Sequence, residues 1–135
     1  MAAVTITGVR ATSSTQTQLL LFGETISAGQ LVYVDAVTQE CQLCDADISQ
    51  AAATVRGIAL TPGIDGGYGI IAISGRLVLV GATMVVTDSY YVGDAPGALA
   101  PDADLATGDW IARVGRAVTA TELQLDISWY GLQHP

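Results

Sequence analysis

A chain of 135 residues and 13.9 kDa is the length of one ordinary domain, long enough to bury a core without disulfide or metal staples. Half of the residues are hydrophobic and only 13% are charged, which excludes a disordered or fibrous chain. Acidic residues outnumber basic ones 13 to 5, for a net charge of -8, and no basic residue is Lys. That balance argues strongly against a surface that tracks the phosphates of nucleic acid or of an anionic membrane, and the expected partner is another protein.

In chain order, the opening MAAVTITGVRATSS has no basic stretch followed by an apolar one, and nowhere do the roughly 20 apolar residues of a membrane span occur. Synthesis and use in the cytoplasm of the producing cell are therefore expected. VTITGV (4–9) alternates weakly, with Val4 and Ile6 opposite Thr5 and Thr7, and reads as a first strand. The runs LLLF (19–22), LVYV (31–34), YGIIAIS (68–74), RLVLV (76–80) and SYYV (89–92) are short, β-branched, apolar on both faces and bounded by Gly or Asp. They read as strands of a sandwich or barrel. DISQAAA (47–53) is the one place for a short helix, with Asp47 as its cap. ELQLDISWY (122–130) alternates most clearly. Leu123, Leu125, Ile127 and Trp129 share one face, so Trp129, like Trp110, is expected to face the core, with Tyr130 on the opposite side. Turn signals recur every 8 to 15 residues, as in an all-β fold: a single-domain β-sandwich or small barrel.

The chain also echoes itself. VYVDAVTQECQLCDADISQAAATVRGIAL (32–60) parallels YYVGDAPGALAPDADLATGDWIARVGRAV (90–118): an aromatic strand, an acidic turn, a short apolar segment, Asp-Ala-Asp, then a strand with Arg and Gly. This predicts two similar β-units in one domain, and it sets Cys41 and Cys44 opposite Ala98 and Pro101.

The echo bears on the acidic stretch DAPGALAPDADLATGD (94–109). Asp102 and Asp104 match Asp45 and Asp47, and a recurring turn explains both pairs. As a calcium loop, DADLATGD lacks the central Gly and the terminal bidentate Glu. CQLC (41–44) has CxxC spacing, but His134 is the only other usual zinc ligand, and positions i and i+3 of a strand point to opposite faces. The thiols therefore read as small apolar residues, and no metal site or cofactor is assigned. No GxSxG, GxxxxGK[ST] or HExxH occurs, and the sole His lies beside the C-terminus. No catalytic residues are assigned, although two converging carboxylates would make a small hydrolase.

What remains is surface for association. RATSSTQTQLLLFGE (10–24), beginning at Arg10, reads either as a loop feeding a core strand or as an arm that lays Leu20 and Phe22 on a neighbour by strand addition. Aromatic anchors are expected at Tyr90, Tyr91 and Tyr130.

AGQLVYVDA, CDAD, VRGIAL, ISGRLVLVGA, YYVGDAPGALAPDADLATGD and RVGRAVTATELQLDI together resemble the small capsid cement, or decoration, proteins of tailed bacteriophages. The resemblance covers residues 29–127. It implies a β-rich decoration domain over 26–130, preceded by an N-terminal arm and first strands (1–25) and followed by a tail (131–135). It also implies a homotrimer on the outer surface of the virion head that clamps adjacent major capsid protein subunits. The competing expectation is a fibre-associated or receptor-binding β-domain that recognises host-surface carbohydrate.

Overall fold

The computed structural model describes residues 4–135. Ten strands follow in chain order: β1 (Gly8–Ala11), β2 (Gln16–Leu21), β3 (Leu31–Val34), β4 (Cys41–Leu43), β5 (Gly57–Ala59), β6 (Tyr68–Val80), β7 (Ser89–Val92), β8 (Leu99–Pro101), β9 (Trp110–Ala117) and β10 (Glu122–Gln133). One helical turn, α1 (Gln50–Ala53), and one 3₁₀ turn, Asp102–Asp104, interrupt them. The strands pair antiparallel in the order β4-β3-β5-β6-β10-β9-β7-β8, with β1 and β2 added along β6, and the sheet curls into a half-barrel. The expected all-β domain is thus present.

The internal echo is a structural repeat. In the first unit β3 lies between β4 and β5; in the second, β7 lies between β8 and β9. A constant step of 58 residues carries one register onto the other: Val32 opposite Leu43 becomes Tyr90 opposite Pro101, and Leu31 opposite Ile58 becomes Ser89 opposite Arg116. The step holds in the hairpin turns, where Asp35 N–H donates to Glu40 O and Gly93 N–H to Ala98 O. Even the left-handed residues correspond, Gln39 (φ 61) with Gly97 (φ 72). The register places Cys41 against the position of Leu99, one residue from the alignment with Ala98 drawn on sequence alone. The difference arises because the turn ends, not the Asp-Ala-Asp pairs, keep the spacing.

Gly57 and Gly115 are matched by the same step, and both are required by close approach. A Cβ at Gly57 would lie 2.1 Å from Ala72 O, and one at Gly115 would lie 2.1 Å from Gln124 O. Each unit therefore lays its third strand unusually close on its fourth. The units join through those fourth strands, β6 and β10, where Leu77 faces Leu123.

β6 corrects the expectation that YGIIAIS (68–74) and RLVLV (76–80) are separate strands. Residues 68–74 pair with β2 and β5, residues 75–80 with β1 and β10, and the chain passes between them without reversing. Gly75 sits at the changeover with φ 90, a conformation only glycine adopts without strain. The strand bends there and serves both halves of the curled sheet.

Two hydrophobic clusters fill the interior. The larger spans both units and includes Leu31, Val55, Ile58, Leu77, Leu79, Val92, Val114 and Leu123; the smaller is built on Phe22, Ile26, Val32, Cys41 and Ile71. Helix α1 is capped by Ser49, whose Oγ accepts the Ala52 N–H at 3.1 Å, rather than by Asp47 as the sequence suggested. Asp47 instead gives its own N–H to the Asp45 carboxylate, which closes a turn just ahead of the helix.

Candidate interaction surface

The segment 10–24 is built into the sheet. β1 and β2 run antiparallel to β6 in succession, from Gly8 opposite Val80 to Leu21 opposite Tyr68. Arg56 fastens β2 further, with Nε and Nη2 3.2 and 2.8 Å from Gln18 Oε1. Alternation along β2 then decides which residues are available. Phe22 is fully buried in the smaller cluster and Leu20 packs against it, so the expected anchors point inward. The outward positions are Leu19 and Leu21, which face Ile70 and Tyr68 across the ladder. Leu19 is 64% exposed, Tyr68 67% and Ile70 39%. The expectation fell on the wrong face of the right strand, because a run of four apolar residues hides the period of 2 that would have separated the two sides.

The aromatic anchors divide in the same way. Tyr90 belongs to the core, its hydroxyl accepting the Val85 N–H at 2.8 Å, which removes it from the surface. Tyr91 is half-buried and opens onto a shallow groove of about 630 Å³ that it shares with Asp88, Ser89 and Asp102. Arg10 is exposed on β1, and Tyr130 is exposed on β10. Trp110 packs partly against the larger cluster as expected, but Trp129 is mostly exposed and gives its indole N–H to Val55 O at 2.9 Å. Register shifts between Leu125 and Ser128 and again after Trp129 break the alternation that placed Trp129 inside. Beyond them, β10 continues through Gln133 with Tyr130 and Leu132 outward, so residues 131–133, assigned to a tail, are strand.

The acidic loops are turns. Asp109 is buried and its Oδ2 accepts the Ala106 N–H at 2.9 Å. Asp35 accepts the N–H groups of Val37 and Thr38, which hold its carboxyl below the usual range. Asp45 is the exception in energy: it is 5% exposed, and burial, together with the neighbouring Asp47 and Asp94, pushes its carboxyl up to about 6. Among the described residues, no three His, Cys, Asp or Glu side chains are grouped to hold a metal ion. Cys41 and Cys44 are free thiols, both fully buried, one in each cluster. Burial pushes the Cys41 thiol up to about 11 and raises that of Cys44 well above its ordinary value. Among the described residues, no helix is long and apolar enough to cross a membrane.

Among the described residues, the surface thus offers apolar areas on the β2·β6 face around Leu19 and Tyr68 and at the far end of β10, besides other exposed apolar side chains such as Val85 and Val86, together with the groove beside Tyr91. No protein-family model matches the chain, and no curated protein is recognisably related to it in sequence.

Proposed function

We propose that this protein is a non-enzymatic structural component of a tailed-phage head. It binds the outer surface of the capsid as a homotrimer, cements adjacent major capsid protein subunits and so stabilises the expanded shell. Made in the host bacterial cytoplasm, it ends on the virion surface, where its net charge of -8 gives it no affinity for the packaged nucleic acid. The observation that carries the reading is the exposed apolar strip on β2·β6, where Leu19 faces Ile70 and Leu21 faces Tyr68. An exposed apolar strip of this kind suits docking on a protein lattice. Binding only the expanded lattice stabilises that lattice by mass action, and copies linked in one assembly multiply modest contacts.

The experiment is sedimentation of the protein with expanded empty heads. Saturable binding at stoichiometric occupancy, weakened at least tenfold by Tyr68→Lys combined with Ile70→Lys, is the expected result. A protein that stays in the supernatant at every shell concentration overturns the reading. One observation favours a second reading, carbohydrate recognition: the groove beside Tyr91 joins an aromatic ring to the carboxylates of Asp88 and Asp102 and the hydroxyl of Ser89. Glycan-array binding abolished by Tyr91→Ala, without shell binding, would establish it.

A further inference from the structure

Sheet edges left unpaired invite pairing with another chain, and proteins blunt them with shortness, proline or charge. Most edges of this sheet are blunted. β4 is three residues long and its Leu43 N–H is taken by the Glu24 carboxylate at 2.9 Å. β8 is three residues long and ends in Pro101, while β1 is four residues long and carries Arg10. Two edges are longer and uncharged, and what blunts them is local: β10 is bulged after Leu125 and after Trp129, and the end of β2 is bridged to β4 through Phe22 and Cys41. The six residues of β2, QTQLLL, pair with β6 alone until the chain reaches Phe22, which bridges Cys41 of β4, with Gly23 N–H donating to Cys41 O at 2.9 Å. β10 pairs with β6 only over residues 122–125, so that over 127–133, ISWYGLQ, one edge has no strand partner among the described residues. Neither open edge carries a charge, in a chain whose net charge is -8.

The repeat shows that the open edge of β10 is a vacancy. Ala59 opposite Ile71 corresponds to Ala117 opposite Leu123, a step of 52 residues between β6 and β10, so residues 127–132 are the counterpart of 75–80. In the first unit that stretch is paired on both edges, by β1 and by β10. In the second it is paired on one edge, by β9, and it presents Tyr130 and Leu132 to solvent.

We infer that the open edge of β10 in one molecule pairs with the open edge of β2 in a second copy, joining copies head to tail. An uncharged edge is where two copies of so acidic a chain meet with least repulsion, and β2 before Phe22 is the other uncharged open edge that a copy offers. The pairing would bring Tyr130 and Leu132 beside Leu19, extending the apolar strip from one copy to the next. A heterologous contact of this kind closes into a ring when the rotation permits. The inference rests on the self-association proposed above but not on the capsid.

The test is solution mass by light scattering, without shells. The wild-type protein is expected at a multiple of 13.9 kDa. Leu19→Pro, which removes an edge N–H, and the double variant Tyr130→Lys, Leu132→Lys are each expected at the single-chain mass with an unchanged far-UV spectrum. Their equimolar mixture restores one intact β10·β2 contact and is expected at twice that mass. If Leu19→Pro unfolds, Leu19→Lys takes its place at the same exposed position. A wild type that stays single-chain at its highest soluble concentration overturns the inference. So does either variant that retains the wild-type mass, or a mixture that remains single-chain. Shell binding by a protein that fails this test would leave capsid binding standing, without the homotrimer where the wild type is single-chain, and an assembly that passes it but ignores shells would leave only the inference.

Discussion

Asp45 illustrates how one buried carboxyl shapes the pH response of the whole domain. Its backbone N–H donates to Ala52 O, while the adjoining Ala46 donates to Gly93 O and accepts from Trp110 N–H, so the residue lies where the first unit is stitched to the second. Folding raises its pKa from 3.8 to about 6, so the folded state holds the proton more tightly than the unfolded state. Its contribution to stability is therefore fully present below pH 3.8 and is lost as pH rises through about 6. Asp45→Asn keeps an acceptor for the Asp47 N–H and removes the charge. At pH 7 it is expected to stabilise the protein by on the order of 2 kcal/mol and to flatten the change in melting temperature between pH 4 and pH 7. Denaturant melts at the two pH values check this, and an unchanged pH slope in the variant would refute it. The thiols make a second test at this scale. With both sulfurs buried and their pKa values raised, neither Cys41 nor Cys44 is expected to react with a disulfide reagent at pH 8 in the native protein. Both are expected to react once the chain is unfolded.

At the level of elements, the repeat makes a paired prediction. Gly57 and Gly115 face the carbonyls of Ala72 and Gln124 at the same distance, so an added methyl meets backbone in both units and neither site relieves it by a side-chain rotation. Gly57→Ala and Gly115→Ala are each expected to destabilise the protein by about 1–3 kcal/mol, and by similar amounts. A neutral effect at one site alone would show that the two units do not share this contact. The elements also mark where sequence patterning stops being informative. LVYV and SYYV were legible as strands because they are short, apolar and bounded by turns. YGIIAIS and RLVLV were legible as strands but not as one strand, since Gly75 reads as a turn signal and acts as a bend. The end of β10 was misjudged because a bulge shifts the alternation without changing a single residue type.

For the whole molecule, the decisive feature is that the larger cluster draws on both units. Leu31, Val55 and Ile58 of the first pack in the same core as Val92, Val114 and Leu123 of the second, and the β6·β10 ladder ties the two together. The first half of the chain adds a smaller cluster of its own on Phe22, Ile26, Val32, Cys41 and Ile71, but the larger core is shared by both units. Unfolding is therefore expected to be one cooperative transition, with tryptophan fluorescence, which reports on Trp110 and Trp129 in the second unit, coincident with far-UV circular dichroism from all strands. Two separated transitions would show that the units fold independently.

The sequence by itself determined the class of fold and its repetition, because turn residues, short apolar runs and a recurring order of elements are local properties of a chain. It also determined the net charge of -8. Which side of each apolar strand faces water was decided only by the tertiary structure. Leu20 and Leu19 are the same residue type one position apart, and only the pairing of β2 with β6 turns one inward and the other out. Likewise, nothing local to SYYV separates the buried Tyr90 from the half-exposed Tyr91, and nothing local to ISWYGLQ shows that one edge of β10 is left open. Exposure depends on what the rest of the chain brings alongside, and that is settled by long-range register.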